Sequence, residues 1–119
     1  MSRFLWVTAA ATVSIVACST LSEKATNPPS QRGAELFATH CALCHGERAD
    51  GRGLRRAALS SSPVDFTRKS WCRGTTPRAV YHVVREGVRG TAMPGWKALS
   101  EDQCWDLVAY LLAVCEHGS

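Results

Sequence analysis

Five consecutive residues, Cys41-Ala42-Leu43-Cys44-His45, constrain this 119-residue chain more than any other feature. The C-x-x-C-H spacing is typical of sites where a c-type haem is attached covalently. Within one turn of helix, the two sulfurs can reach two vinyl groups of the porphyrin and form thioethers. The adjacent imidazole can then bind the iron from its proximal side. The motif predicts one covalent haem c, held through Cys41 and Cys44 and ligated by His45.

Two other chemistries also use paired cysteines. A structural zinc site would need two more ligands in a second cluster, but Cys72, Cys104 and Cys115 are widely spaced. A thioredoxin-like dithiol would need a strand before the motif, and no strand pattern precedes Cys41. We therefore favour haem attachment over zinc binding and dithiol chemistry.

The candidate for the sixth iron ligand is Met93. The chain has only two methionines, and Met1 begins a targeting segment. In the loop around Met93, Pro94 stiffens the backbone and the flanking glycines allow it to approach a flat ring closely. The other histidines are the alternative ligands; each is expected to point away from the iron or to lie at the surface: His40, His82 and His117.

Three separated motifs resemble those of bacterial class I cytochromes c: C-x-x-C-H at residues 41–45, Met93-Pro94, and the C-terminal stretch Leu107–Leu111. The resemblance covers residues 31–119. It implies an all-α cytochrome c fold, in which three main helices and their loops wrap around one covalently bound haem. It also implies His45 and Met93 as the axial ligands, a combination that favours ferrous iron and raises the reduction potential.

Three helices are predicted. Ser30 can cap the first, which should run to about His40. The second should start at Thr76-Pro77 and end at Gly87. The third should start at the capping box Ser100-x-x-Gln103 and run to about Cys115, the residues between being apolar at helical spacing. The resemblance further implies that Gly33 and Phe37 pack against this last helix.

The loops leave two questions open. Gly46–Gly53 is rich in glycine but lacks the Gly-Lys-Ser/Thr ending of a phosphate-binding loop. Relatives often carry a proline near Ala57–Ala58 whose carbonyl accepts a hydrogen bond from the ligand histidine; none stands there, so the acceptor for His45 is undetermined. Val64–Thr67 resembles the family's extended stretch along the haem, and Trp71 is expected either near a haem propionate or in the core.

The N-terminal region predicts export. Residues 1–17 read as a signal peptide, since their apolar run is too short for a membrane span. Ile15-Val16-Ala17-Cys18 resembles a bacterial lipobox, in which Cys18 becomes lipidated, and Ser19 is compatible with sorting to the outer membrane. The alternative is an ordinary cleaved signal with an incidental Cys18. Residues 18–30 should form a lipidated tether, and either route places the domain on the periplasmic side.

The surplus cysteines allow a disulfide. Cys104 and Cys115 are eleven residues apart on one predicted helix, about 16 Å, whereas a disulfide needs Cα atoms within about 7 Å. Cys72 with Cys104 is the predicted pair, and Cys72 with Cys115 is its rival. If Cys18 is not lipidated, two disulfides are arithmetically possible.

These patterns predict a periplasmic electron-transfer protein and not an enzyme, because a methionine ligand closes the iron to substrate. The alternatives are a haem c subunit of a membrane-associated or periplasmic oxidoreductase, or a ligand-binding or catalytic haem protein with a labile methionine.

The charge pattern indicates the kind of partner. The length of 119 residues fits one small domain. The net charge is +4, or +4 − 1 = +3 once Arg3 leaves with the signal. The basic residues are scattered along the chain, so they do not support nucleic-acid binding. Nothing requires more than a monomer. Scattered arginines either steer an acidic redox partner or form an ordinary solvated surface: Arg48, Arg52, Arg55, Arg56, Arg68 and Arg89.

Overall fold

The computed structural model describes residues 27–118. Within that range the fold is all-helical and contains no strand, as predicted. The helices are α1 (Pro29–His40), α2 (Ala42–His45), α3 (Lys69–Gly74), α4 (Pro77–Glu86) and α5 (Glu101–His117), with a 3-10 turn at Arg56–Ala58. The three predicted helices are α1, α4 and α5. No helix in the described range is long and apolar enough to cross a bilayer.

Helix α1 begins two residues earlier than a cap at Ser30 would place it. Pro28 is extended, as the residue before a proline tends to be, and Pro29 occupies the first helical position. The carbonyl of Pro28 accepts the backbone N–H groups of Gln31 (3.0 Å) and Arg32 (3.2 Å). The prediction that Ser30 caps this helix is wrong, because a proline with its fixed φ starts the helix without a side-chain cap. Pro29 and Ser30, assigned to the tether, belong to α1.

Helices α4 and α5 begin at the predicted caps. The Thr76 hydroxyl accepts the backbone N–H of Ala79, and Gly87 ends α4 with a φ of 72°. Ser100 and Gln103 form both hydrogen bonds of the capping box, at 3.2 Å and 2.9 Å. Helix α5 continues past the predicted end at about Cys115, to His117.

The crossing of α1 over α5 is the main helix–helix contact. A methyl group on Gly33 would overlap the carbonyl oxygen of Asp106 and lie 2.8 Å from Cβ of Tyr110. Phe37, one turn further along α1, is 2% exposed, and its ring lies 5.1 Å from that of Tyr110. The packing of Gly33 and Phe37 against the last helix is therefore as the resemblance implied.

An ion pair that the sequence patterns did not reveal joins the same two helices. Arg32 donates from Nε and Nη2 to the two carboxylate oxygens of Asp106, at 2.8 Å and 2.6 Å. Asp106 is buried, and its carboxylate raises the pKa of Arg32 through this hydrogen bonding. The guanidinium also donates to the carbonyl of Asn27. Arg32 thereby fixes the start of α1 to the first half of α5.

The disulfide joins Cys72 to Cys115, with the Cα atoms 6.1 Å apart. The predicted pair of Cys72 with Cys104 is wrong, and its rival is correct. The middle segment lies against the C-terminal end of α5: a methyl group on Gly118 would be 2.7 Å from the carbonyl oxygen of Thr67. Cys104, near the other end of α5, is fully buried and forms no disulfide with another cysteine of residues 27–118.

The hydrophobic core lies where α1, α4 and α5 meet the two long connecting segments, residues 46–68 and residues 87–100. Its buried members are Phe37, Ala49, Phe66, Val80, Val84, Leu99, Cys104, Leu107, Val108 and Leu111.

Candidate haem site

An apolar cavity of about 310 Å³ opens beside this core, within the usual size range of ligand pockets. Its wall is built by the end of α1, by α2, by residues 59–66, by α4 and by the loop before α5. The four predicted site residues all line it: Cys41, Cys44, His45 and Met93. Residues from two segments far apart in the sequence thus meet at one cavity.

The imidazole of His45 is oriented by a backbone carbonyl. Its Nδ1 lies 3.3 Å from the oxygen of Val64. A carbonyl can only accept, so this contact requires the proton on Nδ1 and leaves Nε2 free to bind a metal. The acceptor that the sequence left undetermined is Val64, directly after Pro63, whereas the segment around Ala57–Ala58 forms the 3-10 turn.

The electrostatics of His45 favour the neutral ring. Burial lowers its pKa, and the bond to Val64 opposes this shift only in part. Neutral imidazole is the form that binds metals. The site therefore presents His45 in a state ready to act as a ligand.

Aromatic rings pack around this imidazole. Phe66 lies 4.8 Å from the His45 ring and Phe37 lies 6.4 Å from it, measured between ring centroids. Trp71 packs edge-on against Phe66 at 4.8 Å and also lines the cavity. Trp71 is half-buried and packs against the core, whereas a position near a haem propionate stays a prediction.

The two motif cysteines lie at the junction of α1 and α2. Cys41 ends α1 and precedes α2, and Cys44 lies within α2. Neither forms a disulfide within residues 27–118. Burial raises the pKa of Cys41 to about 11, with a further contribution from nearby Cys44. At neutral pH, Cys41 is a thiol.

Met93 is presented by a closed turn between α4 and α5. Val88 donates its N–H to the carbonyl of Met93 (3.1 Å), and Met93 donates its own N–H to the hydroxyl of Thr91 (3.2 Å). Thr91 in turn donates from both N–H and hydroxyl to the carbonyl of Val88. These bonds define the backbone of the loop without using the methionine side chain.

The other histidines differ in position. His82 and His117 are exposed and do not line the cavity. His40 does line it, with its ring 4.8 Å from Trp96 of the methionine loop. His40 is half-buried, and the expectation that it points away from the iron stays a prediction. Because α1 ends at His40, its side chain can reach across to that loop.

The donor set fits a covalently bound haem. Two thiols can form thioethers, an imidazole and a thioether sulfur can bind iron, and apolar side chains can cover the faces of a porphyrin. Three main helices around an apolar cavity that holds C-x-x-C-H and a methionine loop define a class I c-type cytochrome. The chain belongs to the family described as cytochrome c oxidase, cbb3-type, subunit III, whose model matches residues 28–111.

One curated relative is by name a subunit of a cytochrome c oxidase, and another is by name a cytochrome c. The chain is 35% identical over 69 residues to the cbb3-type cytochrome c oxidase subunit FixP of Azorhizobium caulinodans, covering 58% of this chain and 21% of that protein. It is 34% identical over 91 residues to cytochrome c55X of Stutzerimonas stutzeri, covering 71% of this chain and 66% of that protein. The match thus spans only about a fifth of the first relative and just under two thirds of the second.

A solved structure supports the fold. A chain of the reducing HAO-like protein complex of Kuenenia stuttgartiensis matches with a TM-score of 0.61 and 27% identity, covering 71% of this chain and 41% of that one. Fold and family together define a bacterial class I c-type cytochrome domain, the kind of domain that binds haem c covalently.

Proposed function

We propose that the chain is an electron carrier in which Cys41 and Cys44 bind the haem covalently, and His45 and Met93 are its axial ligands. The observation that carries this proposal is that all four side chains line one apolar cavity. When bound, the haem supplies one-electron redox chemistry, and His/Met ligation would favour its ferrous state.

The residues of the chain supply geometry and a dry environment. The carbonyl of Val64 holds the imidazole of His45 in one tautomer, and the closed turn at Val88–Met93 holds the methionine. The apolar walls would keep water away from a bound haem. Because the oxidised haem carries more positive charge than the reduced haem, it would lose more hydration energy, and the reduction potential would rise. If His45 and Met93 both bound the iron, no position would be open for a substrate, and the carrier would need no catalytic acid, base or nucleophile.

The experiment that tests this is an optical spectrum of protein made in a strain with haem-attachment machinery. Spectra are recorded oxidised, reduced, and reduced under carbon monoxide. We expect a low-spin c-type spectrum that carbon monoxide does not change. A spectrum that shifts with carbon monoxide would reject the closed His/Met site and favour a sensor or a catalytic haem. Absence of covalent haem would reject the proposal as a whole.

A second candidate function is that of a haem c subunit within an oxidoreductase complex. The family description names an oxidase subunit, and FixP is by name a subunit of a cbb3-type oxidase. Affinity purification in detergent separates the two roles. A subunit should copurify with stoichiometric partner chains, whereas a free carrier should elute alone.

We further propose that the domain is exported and tethered by a lipid on Cys18. The predicted signal peptide, Cys18 and the residues up to Thr26 lie outside the described residues, so this rests on the lipobox-like sequence. Labelling cells with a palmitate analogue should mark the wild-type chain and not Cys18→Ala, which should move from the membrane to the soluble periplasmic fraction. An unlabelled, soluble wild-type chain would contradict the anchor and leave an ordinary cleaved signal.

A further inference from the structure

The methionine loop is attached to the last turn of α4 at two points beyond the closed turn already described. The backbone N–H of Trp96 donates to the carbonyl of Val84 (2.9 Å). The guanidinium of Arg85 donates from Nη1 to the carbonyl of Leu99 (2.6 Å). We refer to residues 95–99, which lead from the methionine towards α5, as the return arm. These two hydrogen bonds fix the return arm to α4.

The backbone of the return arm packs tightly on the end of α4. A methyl group on Gly95 would lie 2.8 Å from the carbonyl oxygen of Arg85. A methyl group on Gly87, which ends α4, would lie 2.6 Å from the carbonyl oxygen of Met93. The backbone of Met93 and the return arm therefore rest on the same end of α4, and an outward movement of the arm would carry the methionine with it.

Arg85 makes its contact with the return arm through a side chain, so this contact can be removed without changing the backbone. Arg85 is half-buried and forms no ion pair within residues 27–118. It does not line the cavity, so it is not part of the wall that would cover a porphyrin. A hydrogen bond from a charged donor is stronger than one between neutral groups, and more so away from water. The structure thus directs one strong side-chain bond at the base of the methionine loop.

A weaker contact joins the same two segments. Nζ of Lys97, in the return arm, lies 3.2 Å from Oε2 of Glu86, the last residue of α4. The two side chains are 72% and 57% exposed, and exposed ion pairs contribute little to stability. The chain therefore offers a matched control for the Arg85 contact.

We propose that Arg85 is a positioning residue for Met93, whose bond to Leu99 keeps the return arm closed and so keeps external ligands from the sixth coordination position. This rests on the proposed function, which assigns Met93 as an axial ligand. Arg85 acts through the backbone of the loop and sets the fraction of molecules in which the methionine is displaced. In that fraction, an external ligand can take the position that the sulfur has left.

The experiment is a spectrophotometric titration of the oxidised, haem-loaded protein with imidazole. The apparent affinity for imidazole is proportional to the fraction of molecules in which the sixth position is open. We expect Arg85→Met, which removes the donor and keeps the apolar stem, to lower the apparent Kd about tenfold. Arg85→Gln, which has a neutral donor, should lower it in the same direction. Arg85→Lys, which retains a charged donor, should stay within threefold of wild type.

Glu86→Gln is the matched control and should stay within twofold of wild type, because it removes only the exposed ion pair with Lys97. A wild-type apparent Kd in both Arg85→Met and Arg85→Gln would overturn the proposal. An effect of Glu86→Gln as large as that of Arg85→Met would also overturn it, since any contact of the arm would then be equivalent.

Amide hydrogen exchange distinguishes opening of the loop from loss of overall stability. In Arg85→Met, the N–H of Trp96 should exchange about tenfold faster, because its bond to Val84 opens with the return arm. The N–H groups of the buried residues Leu107 and Leu111 in α5 should exchange at the wild-type rate. Equal acceleration at all three amides would mean that Arg85 stabilises only the fold as a whole, and would overturn the proposal.

Met93→Ala separates failure of this inference from failure of the proposed function. This variant should bind imidazole more tightly than any Arg85 variant, and adding Arg85→Met to it should have no further effect, because no sulfur remains to be displaced. If Met93→Ala gains affinity and neither Arg85→Met nor Arg85→Gln does, the role of Arg85 is overturned and the ligand assignment stands. If Met93→Ala has the wild-type affinity, the ligand assignment itself fails, and the inference with it.

Discussion

Met93 lines the cavity. The hydrogen bonds that shape its loop involve the backbone and the Thr91 hydroxyl, and none of them uses the Met93 side chain. Met93→Ala should therefore remove a ligand and leave the loop in place. We expect the variant to retain covalent haem, to lose roughly 100 mV or more of reduction potential, and to bind carbon monoxide when reduced. Potentiometric titration and a carbon monoxide difference spectrum measure these changes.

Val88→Ala is the matched control, because Val88 lies in the same loop and lines the same cavity but carries no ligand atom. It should keep a potential close to that of wild type and remain insensitive to carbon monoxide. If Met93→Ala behaved like this control, Met93 would not be the ligand. His40, which also lines the cavity, would then be the next candidate.

At the residue scale, the sequence indicated which side chains meet at the cavity, but it did not indicate the backbone group that contacts His45. Cys41, Cys44, His45 and Met93 were chosen because their functional atoms belong to those residue types. The acceptor for His45 is a main-chain oxygen, which any residue could supply, so nothing in the identity of Val64 indicates its role. The contact between His40 and Trp96 was also not predicted, because it depends on where α1 ends relative to the methionine loop.

Among the elements, the crossing of α1 over α5 depends on the absence of a side chain at Gly33. Gly33→Ala would place a methyl group against backbone atoms of Asp106, which can move only if the helices separate. We expect a loss of about 1–3 kcal/mol in the free energy of unfolding, in spite of the better helix propensity of alanine. Denaturant unfolding of the haem-loaded protein measures it.

Gly74→Ala is the control for this substitution. Gly74 is also a helical residue, the last of α3, but nothing lies within 4 Å of a methyl group there. The variant should be as stable as wild type or slightly more stable, because the unfolded chain loses freedom. A Gly33→Ala protein as stable as Gly74→Ala would show that the two helices can adjust without cost.

Element prediction succeeded where caps were visible. Thr76-Pro77 and Ser100-x-x-Gln103 mark the starts of α4 and α5 in the sequence itself. Helix α3 was missed because it has six residues and no side-chain cap. The pairing of Arg32 with Asp106 was also missed, since the residues are 74 positions apart and only the fold brings them together.

Across the whole molecule, the disulfide closes a segment that includes α4, the methionine loop and most of α5. Its cysteines are 43 residues apart, for which chain-entropy models give a stabilisation of about 4 kcal/mol. Cys72→Ala/Cys115→Ala should lose stability on this scale. The melting temperature of this double variant should also not depend on reductant, because it has lost the disulfide and thioethers are not reduced. Calorimetry with and without reductant measures both the loss of stability and the loss of the reductant effect.

Cys104→Ala distinguishes the two possible pairings. Cys104 is buried and has no disulfide partner in the part of the chain that the structure describes, so this variant should lose a little core packing and still melt earlier under reductant. Loss of the reductant effect in Cys104→Ala would mean that Cys72 pairs with Cys104. Sequence spacing excluded a bridge within α5 but could not decide which end of that helix meets Cys72, because this depends on how the middle segment packs.

The burial of Cys115 has a consequence for how the protein matures. Thioether formation requires Cys41 and Cys44 to be reduced thiols. The disulfide requires Cys72 and Cys115 to be oxidised. The two pairs of cysteines therefore need opposite redox states in the same compartment. Cys41 and Cys44 lie half-exposed at a cavity wall, within reach of a reductant, while the Cys115 side of the bridge is fully buried. A folded chain can therefore be kept reduced where the haem attaches and remain oxidised where the fold is closed.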